Sequence, residues 1–395
     1  MDKKVYLDHA ATTYVEKEVL EEMLPFFTDW YGNPSSIHSF GREAKRAMDK
    51  ARERTAAALN AKPAEIFFTG SGTEANNWAI KGVAYANRKK GNHIITTAIE
   101  HHAVLHTCQY LEKQGYRVTY LPVDQYGLVT PEQVEAAITD QTILVSIMYA
   151  NNEIGTIEPI PEIGRIARER GIVFHTDAVQ AVGNVDIDIE KSCIDLLSLS
   201  AHKLYGPKGV GALYVRKGIR TENFIHGGAQ ERNRRAGTEN LPGIVGLGKA
   251  IELASLHFKE HNEHLLYLRD KLIKGIKERI PYVKLNGHPT KRLPGNVNFS
   301  FEFIEGESLL LSLDLKGIAA SSGSACTSGS LDPSHVLLAI GLSHELAHGS
   351  LRLTLGDENS EEDIEYCLEV LPSIVERLRQ MSPLFAQRKG DLKHV

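Results

Sequence analysis

The chain has 395 residues, more than one ordinary core holds, so two domains are expected. Hydrophobic residues make up 42% and charged residues 24%, a globular balance, and a formal net charge of -5 leaves no basic footprint for nucleic acid. No run approaches the ~18 apolar residues that span a bilayer, and the N-terminal residues lack the apolar centre of a secretion signal. Cys108, Cys193, Cys326 and Cys367 are too widely spaced for a zinc pair or a disulfide framework, so a cytoplasmic enzyme without membrane or nucleic-acid partners is expected.

In chain order, residues 18–27 and 41–59 read as helices, the second with Ala44, Ala47, Met48 and Ala51 at helical spacing among charges. Strands and helices then alternate. Strands are expected at 65–69, 93–97, 118–121, 142–147 and 172–175, and helices at 73–88, 103–114, 131–138 and 160–170. Two more strands follow at 196–199 and 211–215. This alternation predicts an α/β fold with a mainly parallel sheet covered by helices on both faces. Past Pro242 the pattern changes. A continuous helical stretch over 244–280 precedes a strand at 296–301, a helix at 306–316, a Ser/Gly loop, a strand at 350–355 and a last helix at 360–380. The polar tail, 383–395, is expected to fray. The division implied is a large α/β domain over 15–250 and a smaller α+β domain built from 1–14 and 251–395.

Three stretches carry chemistry. Gly70-Ser71-Gly72-Thr73-Glu74-Ala75 lies between a strand and a helix, where glycines let backbone approach an anion and the helix start offers unpaired N–H groups. The Thr73 hydroxyl adds a donor. Alone, such a stretch is more often a capped turn. The strand at 172–175 runs into Asp177 and, three residues on, Gln180. Ligands of open α/β sheets sit at such strand ends, and a carboxylate there suits the ring nitrogen of pyridoxal phosphate (PLP). Ser200-Ala201-His202-Lys203 follows the next strand and delivers a lysine into a Gly/Pro-rich turn, a position from which it could bond covalently to the cofactor.

The order phosphate turn, Asp-x-x-Gln, then Ser-x-His-Lys is that of fold-type I PLP enzymes. Further motifs sharpen the likeness: residues 6–13 (Tyr6 to Thr13), Gly32 to His38, Gly70 to Asn77, Glu100 to Val104, Asn151 to Gly155 and Ser200 to Lys203. Together they resemble the class V aminotransferase branch that holds cysteine desulfurases, from about Val5 to Met381. Ser321-Ser322-Gly323-Ser324-Ala325-Cys326-Thr327-Ser328-Gly329-Ser330 resembles the active loop of the group I enzymes, the NifS and IscS types. Ser328 to Val336 and Ala347 to Ser350 are closer to NifS.

The resemblance implies removal of sulfur from L-cysteine, release of alanine and a persulfide on Cys326, with sulfur passed on for iron–sulfur cluster assembly. Cys326, in a small polar stretch where no core can form, is expected on a mobile loop. The other three cysteines read as small core hydrophobes. By resemblance, His101 stacks on the PLP ring and acts as acid/base, while Asn152 and Gln180 lie near its phenolic oxygen. Gly72, Thr73, Ser200 and His202 hold its phosphate, and Thr238 reaches the phosphate of the other subunit, which implies a homodimer. Arg352 clamps the substrate carboxylate as a bidentate partner, with Asn33 and Asn152 nearby; a structural salt bridge is the plain alternative. A scaffold protein would accept the sulfur, and Cys326 could share an iron–sulfur ligand position with it. Two rivals stay open: another PLP enzyme of this fold, and an assembly protein whose Cys326 serves mainly as a cluster ligand.

Overall fold

The computed structural model describes residues 3–322, 333–383, 385 and 386. The chain enters through β1 (Val5–Tyr6) and then α1 (Lys17–Met23), α2 (Pro25–Thr28) and α3 (Ser39–Ala58). The expected 18–27 helix is thus divided at Leu24, because Pro25 has no N–H with which to continue the ladder. There follow β2 (Ile66–Thr69), α4 (Gly72–Asn87), β3 (His93–Thr97), α5 (His102–Glu112), β4 (Arg117–Leu121) and α6 (Pro131–Ala137). Next come β5 (Thr142–Ser146), α7 (Ile160–Glu169), β6 (Val173–Asp177), β7 (Leu196–Ser200) and β8 (Gly211–Val215).

These strands form one sheet in the order β2-β8-β7-β6-β5-β3-β4. The pairs from β7 through β4 are parallel, and β8 alone runs against both its neighbours. The reversal follows from length. Only residues 201–210 join β7 to β8, too few for the crossover a parallel neighbour requires.

The rest of the chain gives α8 (Gln230–Asn233), α9 (Leu241–Leu256), α10 (Phe258–Arg279), β9 (Val283–Leu285), β10 (Asn296–Phe301) and α11 (Gly306–Asp314). It closes with β11 (Ile318–Ala319), α12 (His335–Ala339), α13 (His344–His348), β12 (Ser350–Thr354) and α14 (Glu361–Met381). The expected single helix over 244–280 is two, broken at His257. Each half serves a different core. Ile244, Val245, Leu247 and Ile251 of α9 pack with the sheet, and α9 lies so close to α3 that a Cβ on Gly248 would sit 2.6 Å from Ala51. Leu265, Leu268, Leu272 and Ile276 of α10 pack instead with β10, β12 and α14. That second core has an antiparallel sheet in the order β12-β10-β9, and β1 pairs beside it with β11. Among the described residues no helix is long and apolar enough to cross a membrane.

Candidate active site

The site is built at strand ends. β6 finishes in Asp177, which is buried and accepts from the Val179 N–H (3.0 Å) and from Asn76 Nδ2 on α4 (2.6 Å). Two residues earlier, His175 lies between the Ser146 and Ser198 hydroxyls, and burial pushes its pKa down to about 3, which keeps the imidazole neutral. β7 finishes in the buried Ser200, and one helical turn later comes Lys203. The Lys203 ammonium donates to the backbone carbonyls of Ala10 (2.5 Å) and Ala11 (2.6 Å), and Gln180 Nε2 also donates to Ala10 (2.9 Å). The ring of His202 meets the Thr12 hydroxyl at 3.1 Å. Burial, then the nearby Lys203 and Lys208 charges, push its pKa down to about 4. The N-terminal residues therefore lie strapped across the strand ends.

His101 caps α5, its Nδ1 accepting the Ala103 N–H at 3.1 Å, so the neutral ring carries its proton on Nε2. Burial lowers its pKa, Asp177 opposes that shift, and Lys203 adds to it. His101, Asp177 and Lys203 thus share one electrostatic environment. His102 starts the helix beside His106 and His335, at centroid distances of 4.9 and 4.8 Å.

The phosphate turn has the expected form. Ser71 caps α4 by accepting the Glu74 N–H, and a Cβ on Gly72 would lie 2.7 Å from Val179 and 3.4 Å from Ser200. Only glycine lets the turn approach those strand ends this closely. The Gly72 and Thr73 N–H groups meet no acceptor among the described residues, and the Thr73 side chain is exposed. Helix-start donors of this kind fit a phosphate. With the held Asp177 carboxylate for a protonated ring nitrogen and Lys203 for an aldehyde carbon, the residues present fit PLP.

Arg352 departs from expectation in part. Its Nη2 pairs with Asp8 at 2.9 Å and its Nη1 donates to the Asn152 carbonyl at 3.2 Å, so much of the fork is already engaged. Its buried Nε has no acceptor among the described residues. The Asn152 amide group makes no hydrogen bond among the described residues. Asn33 is exposed, its side chain accepting the Ser35 N–H and its carbonyl the Ser36 N–H, so nothing described brings it to Arg352. Thr238 is exposed beyond Gly237 and its hydroxyl has no partner among the described residues. Sequence reasoning singled out neither Asp8 nor Asn76 as site residues. Both stand inside motifs it quoted, and the missing signal was which positions face each other.

Cys326 and the expected mobile loop around it lie outside the described residues, as does most of the expected frayed tail. The flanks of the loop are fixed. Ser321 exchanges both backbone hydrogen bonds with Arg352 (3.2 and 2.7 Å), and the Ser334 hydroxyl donates to Glu153 at 2.5 Å. Cys108 and Cys367 are buried in the cores; burial raises both thiols, that of Cys367 to about 12. Cys193 corrects the core reading: it is half-buried in a turn with φ of 55°. Among the described residues no group of His, Cys, Asp or Glu side chains is arranged to hold a metal.

The class-V aminotransferase family profile matches residues 5–367. A curated relative from Clostridium botulinum strain Hall, named cysteine desulfurase IscS, is 66% identical over 387 residues, 98% of both chains. One from Methanosarcina thermophila with the same name is 63% identical, covering 97% of this chain and 95% of that one. A solved NifS-like protein superposes with a TM-score of 0.90 at 42% identity, covering 95% of this chain and all of the other. SspA in complex with cysteine superposes with a TM-score of 0.81, also at 42% identity, over 90% of this chain and all of that one. Both subgroup names occur, so the names do not separate NifS from IscS. With its strand-end lysine and aspartate and its phosphate turn, the chain belongs to the class-V aminotransferase family, whose members depend on PLP.

Proposed function

We propose that the protein is a cysteine desulfurase that takes the sulfur of L-cysteine onto Cys326, releases L-alanine and supplies sulfur for iron–sulfur cluster assembly. The observation that carries this reading is the convergence of Lys203, Asp177 and His101 beside a helix start whose Gly72 and Thr73 N–H groups meet no acceptor among the described residues. The relatives named cysteine desulfurase and the neighbour solved with cysteine support the choice of substrate.

Gly72, Thr73, Ser200 and His202 would hold the PLP phosphate, Asp177 the ring nitrogen, Gln180 and Asn152 the phenolic oxygen, and Lys203 the aldehyde carbon in covalent linkage. Bound there, PLP supplies an electron sink that makes the substrate Cα proton removable. Lys203 moves that proton with its freed amine. Arg352 Nε binds the substrate carboxylate while Asp8 and the Asn152 carbonyl fix the guanidinium plane. His101, kept neutral by burial, accepts a proton at Nε2 in its other tautomer, with its own proton on Nδ1 and the Ala103 N–H released, and returns the accepted proton to the departing product. The Cys326 thiolate forms an S–S bond to the substrate sulfur as its C–S bond breaks, and the carbon left behind gains a proton to give alanine. Cys108 and Cys367, whose buried thiols resist ionisation, are unsuited to that attack.

The same reading covers the assembly. Leu20, Leu24, Phe27, Trp30, Tyr31, Ile37 and Phe40 form an exposed apolar stretch running from α1 through α2 and the following loop to the first turn of α3, and Ile37 is 91% exposed. Monomers rarely leave such a surface bare. A second copy would cover it in a homodimer, with Thr238 serving the neighbouring phosphate. A cytoplasmic location, an iron–sulfur scaffold as sulfur acceptor, a cluster-ligand role for Cys326 in that complex, and the domain division at 14/15 and 250/251 complete the proposal. The two separate cores support the division.

Cys326→Ser tests the function. The variant should remain yellow with PLP and still bind cysteine, yet make no persulfide, because a serine hydroxyl stays protonated and attacks sulfur poorly. Lys203→Ala should lose the visible absorbance of the linked cofactor together with turnover. Normal alanine production by Lys203→Ala would remove the basis of the reading.

A further inference from the structure

Resting on the reading of Thr238 and of the homodimer, we propose that the Glu74–Arg235 ion pair couples the two phosphate sites. It locks the turn that cradles one phosphate to the loop whose Thr238 reaches the other. Arg235 is then a positioning residue for cofactor bound in both subunits.

The pair is a fork on a fork. Arg235 Nε meets Glu74 Oε1 at 2.8 Å and Nη2 meets Oε2 at 3.0 Å, with only 20% and 15% of the two side chains exposed. The Glu74 carboxylate also works inward. Its Oε2 accepts the Gly70 N–H at 2.8 Å, and the Glu74 N–H is capped by Ser71, so one residue stitches the phosphate turn together and grips Arg235.

Arg235 stands three residues before Thr238. Between them, Ala236 is buried and hydrogen-bonded to the Ile225 carbonyl, and Gly237, at φ of 110°, donates to the Gln230 side chain at 3.0 Å. Before it, Glu231, Arg232 and Asn233 are left-handed in succession, with φ of 44°, 58° and 63°. Three such non-glycine residues persist together only where their surroundings over-determine them. The surroundings here are β2, the strand that leads into the phosphate turn. The buried Glu231 carboxylate takes both arms of Arg52 (2.8 and 2.7 Å) and the Phe68 N–H (2.9 Å). The Arg232 guanidinium lies 4.3 Å over the Phe67 ring and donates to the Ile66 carbonyl at 2.6 Å. The loop that presents Thr238 is thus referenced at both ends to the strand, turn and helix that cradle the chain's own phosphate.

The test uses the full-length dimer stripped of cofactor. PLP affinity is read by equilibrium dialysis, and dimer content by light scattering. Arg235→Gln and Thr238→Ala should each weaken PLP binding roughly tenfold with the dimer intact, the scale of one lost charge-assisted or phosphate hydrogen bond. Adding Thr238→Ala to Arg235→Gln should cost little more, since its hydroxyl is already misplaced. Arg235→Lys should recover only part of the affinity, because lysine cannot reproduce the fork. In a purified mixed dimer of one wild-type and one Arg235→Gln chain, both sites should be weakened. A titration in which half the sites keep wild-type affinity would overturn the coupling, as would full additivity of the two substitutions. If Thr238→Ala alone binds PLP as wild type does, the reading of Thr238 fails and takes the coupling with it. Should Arg235→Gln not fold, Glu74→Gln keeps the shape and one acceptor, and carries the same prediction at smaller size.

Discussion

Lys203 and Asp177 reach one space because β6 and β7 are hydrogen-bonded neighbours that both end there, Asp177 lying opposite Ser198. Strand ends of a parallel sheet are readable from sequence, so both residues were legible, and the glycines of the phosphate turn were too. The pairing of Asp8 with Arg352, 344 positions apart, was not, because spacing says nothing about which loops a fold brings together. His101 gives a prediction at this scale. Burial holds its pKa below the ordinary 6.5, so the neutral base persists to lower pH. The acid limb of kcat/KM should therefore fall below pH 6.5 and should vanish in His101→Gln. An unchanged acid limb in that variant would assign the proton to another group.

Among the elements, the alternating strands and helices of the large sheet were legible from period and punctuation, because each buries one kind of face. The break at His257 was not. Charge and helix formers continue smoothly through 244–280, and only the need to pack α9 and α10 into two different cores divides them. The short strands β1, β9 and β11 carried too little pattern to register. Inside β6, His175 couples the sheet to pH. The unfolded chain takes up its proton near 6.5, while the folded one refuses it until about 3. The unfolded state therefore binds more protons in that window. Stability should fall as pH drops from 6.5 toward 3, by about 1.4 kcal/mol per unit from this residue. Glu153 and Glu100, pushed up by burial to about 7 and about 8, act oppositely, costing stability as pH rises from 4.5 toward those values. Urea midpoints at pH 7, 6 and 5 should show a shallower acid-side slope for His175→Gln than for wild type. Equal slopes would mean that His175 is not the group being protonated.

For the whole molecule, the change of pattern near Pro242 announced a second packing unit, and the motifs announced the chemistry. The proposed homodimer rests on the family likeness, since residues 20–40 contain apolar side chains whose exposure no periodicity reveals. Phe27→Asp with Ile37→Asp should split the dimer and, by removing Thr238 from the neighbouring phosphate, lower the PLP retained per chain. Light scattering and cofactor absorbance measure the two effects together. A monomer that keeps full cofactor and full turnover would contradict the shared site.

The most direct test of the central claim is mass spectrometry of the enzyme after a single turnover with L-cysteine, with thiols blocked before digestion. The account predicts one extra sulfur atom, carried on the Cys326 peptide, in amount equal to the alanine released. Extra sulfur on Cys108, Cys193 or Cys367, or alanine formed with no sulfur on Cys326, would contradict it.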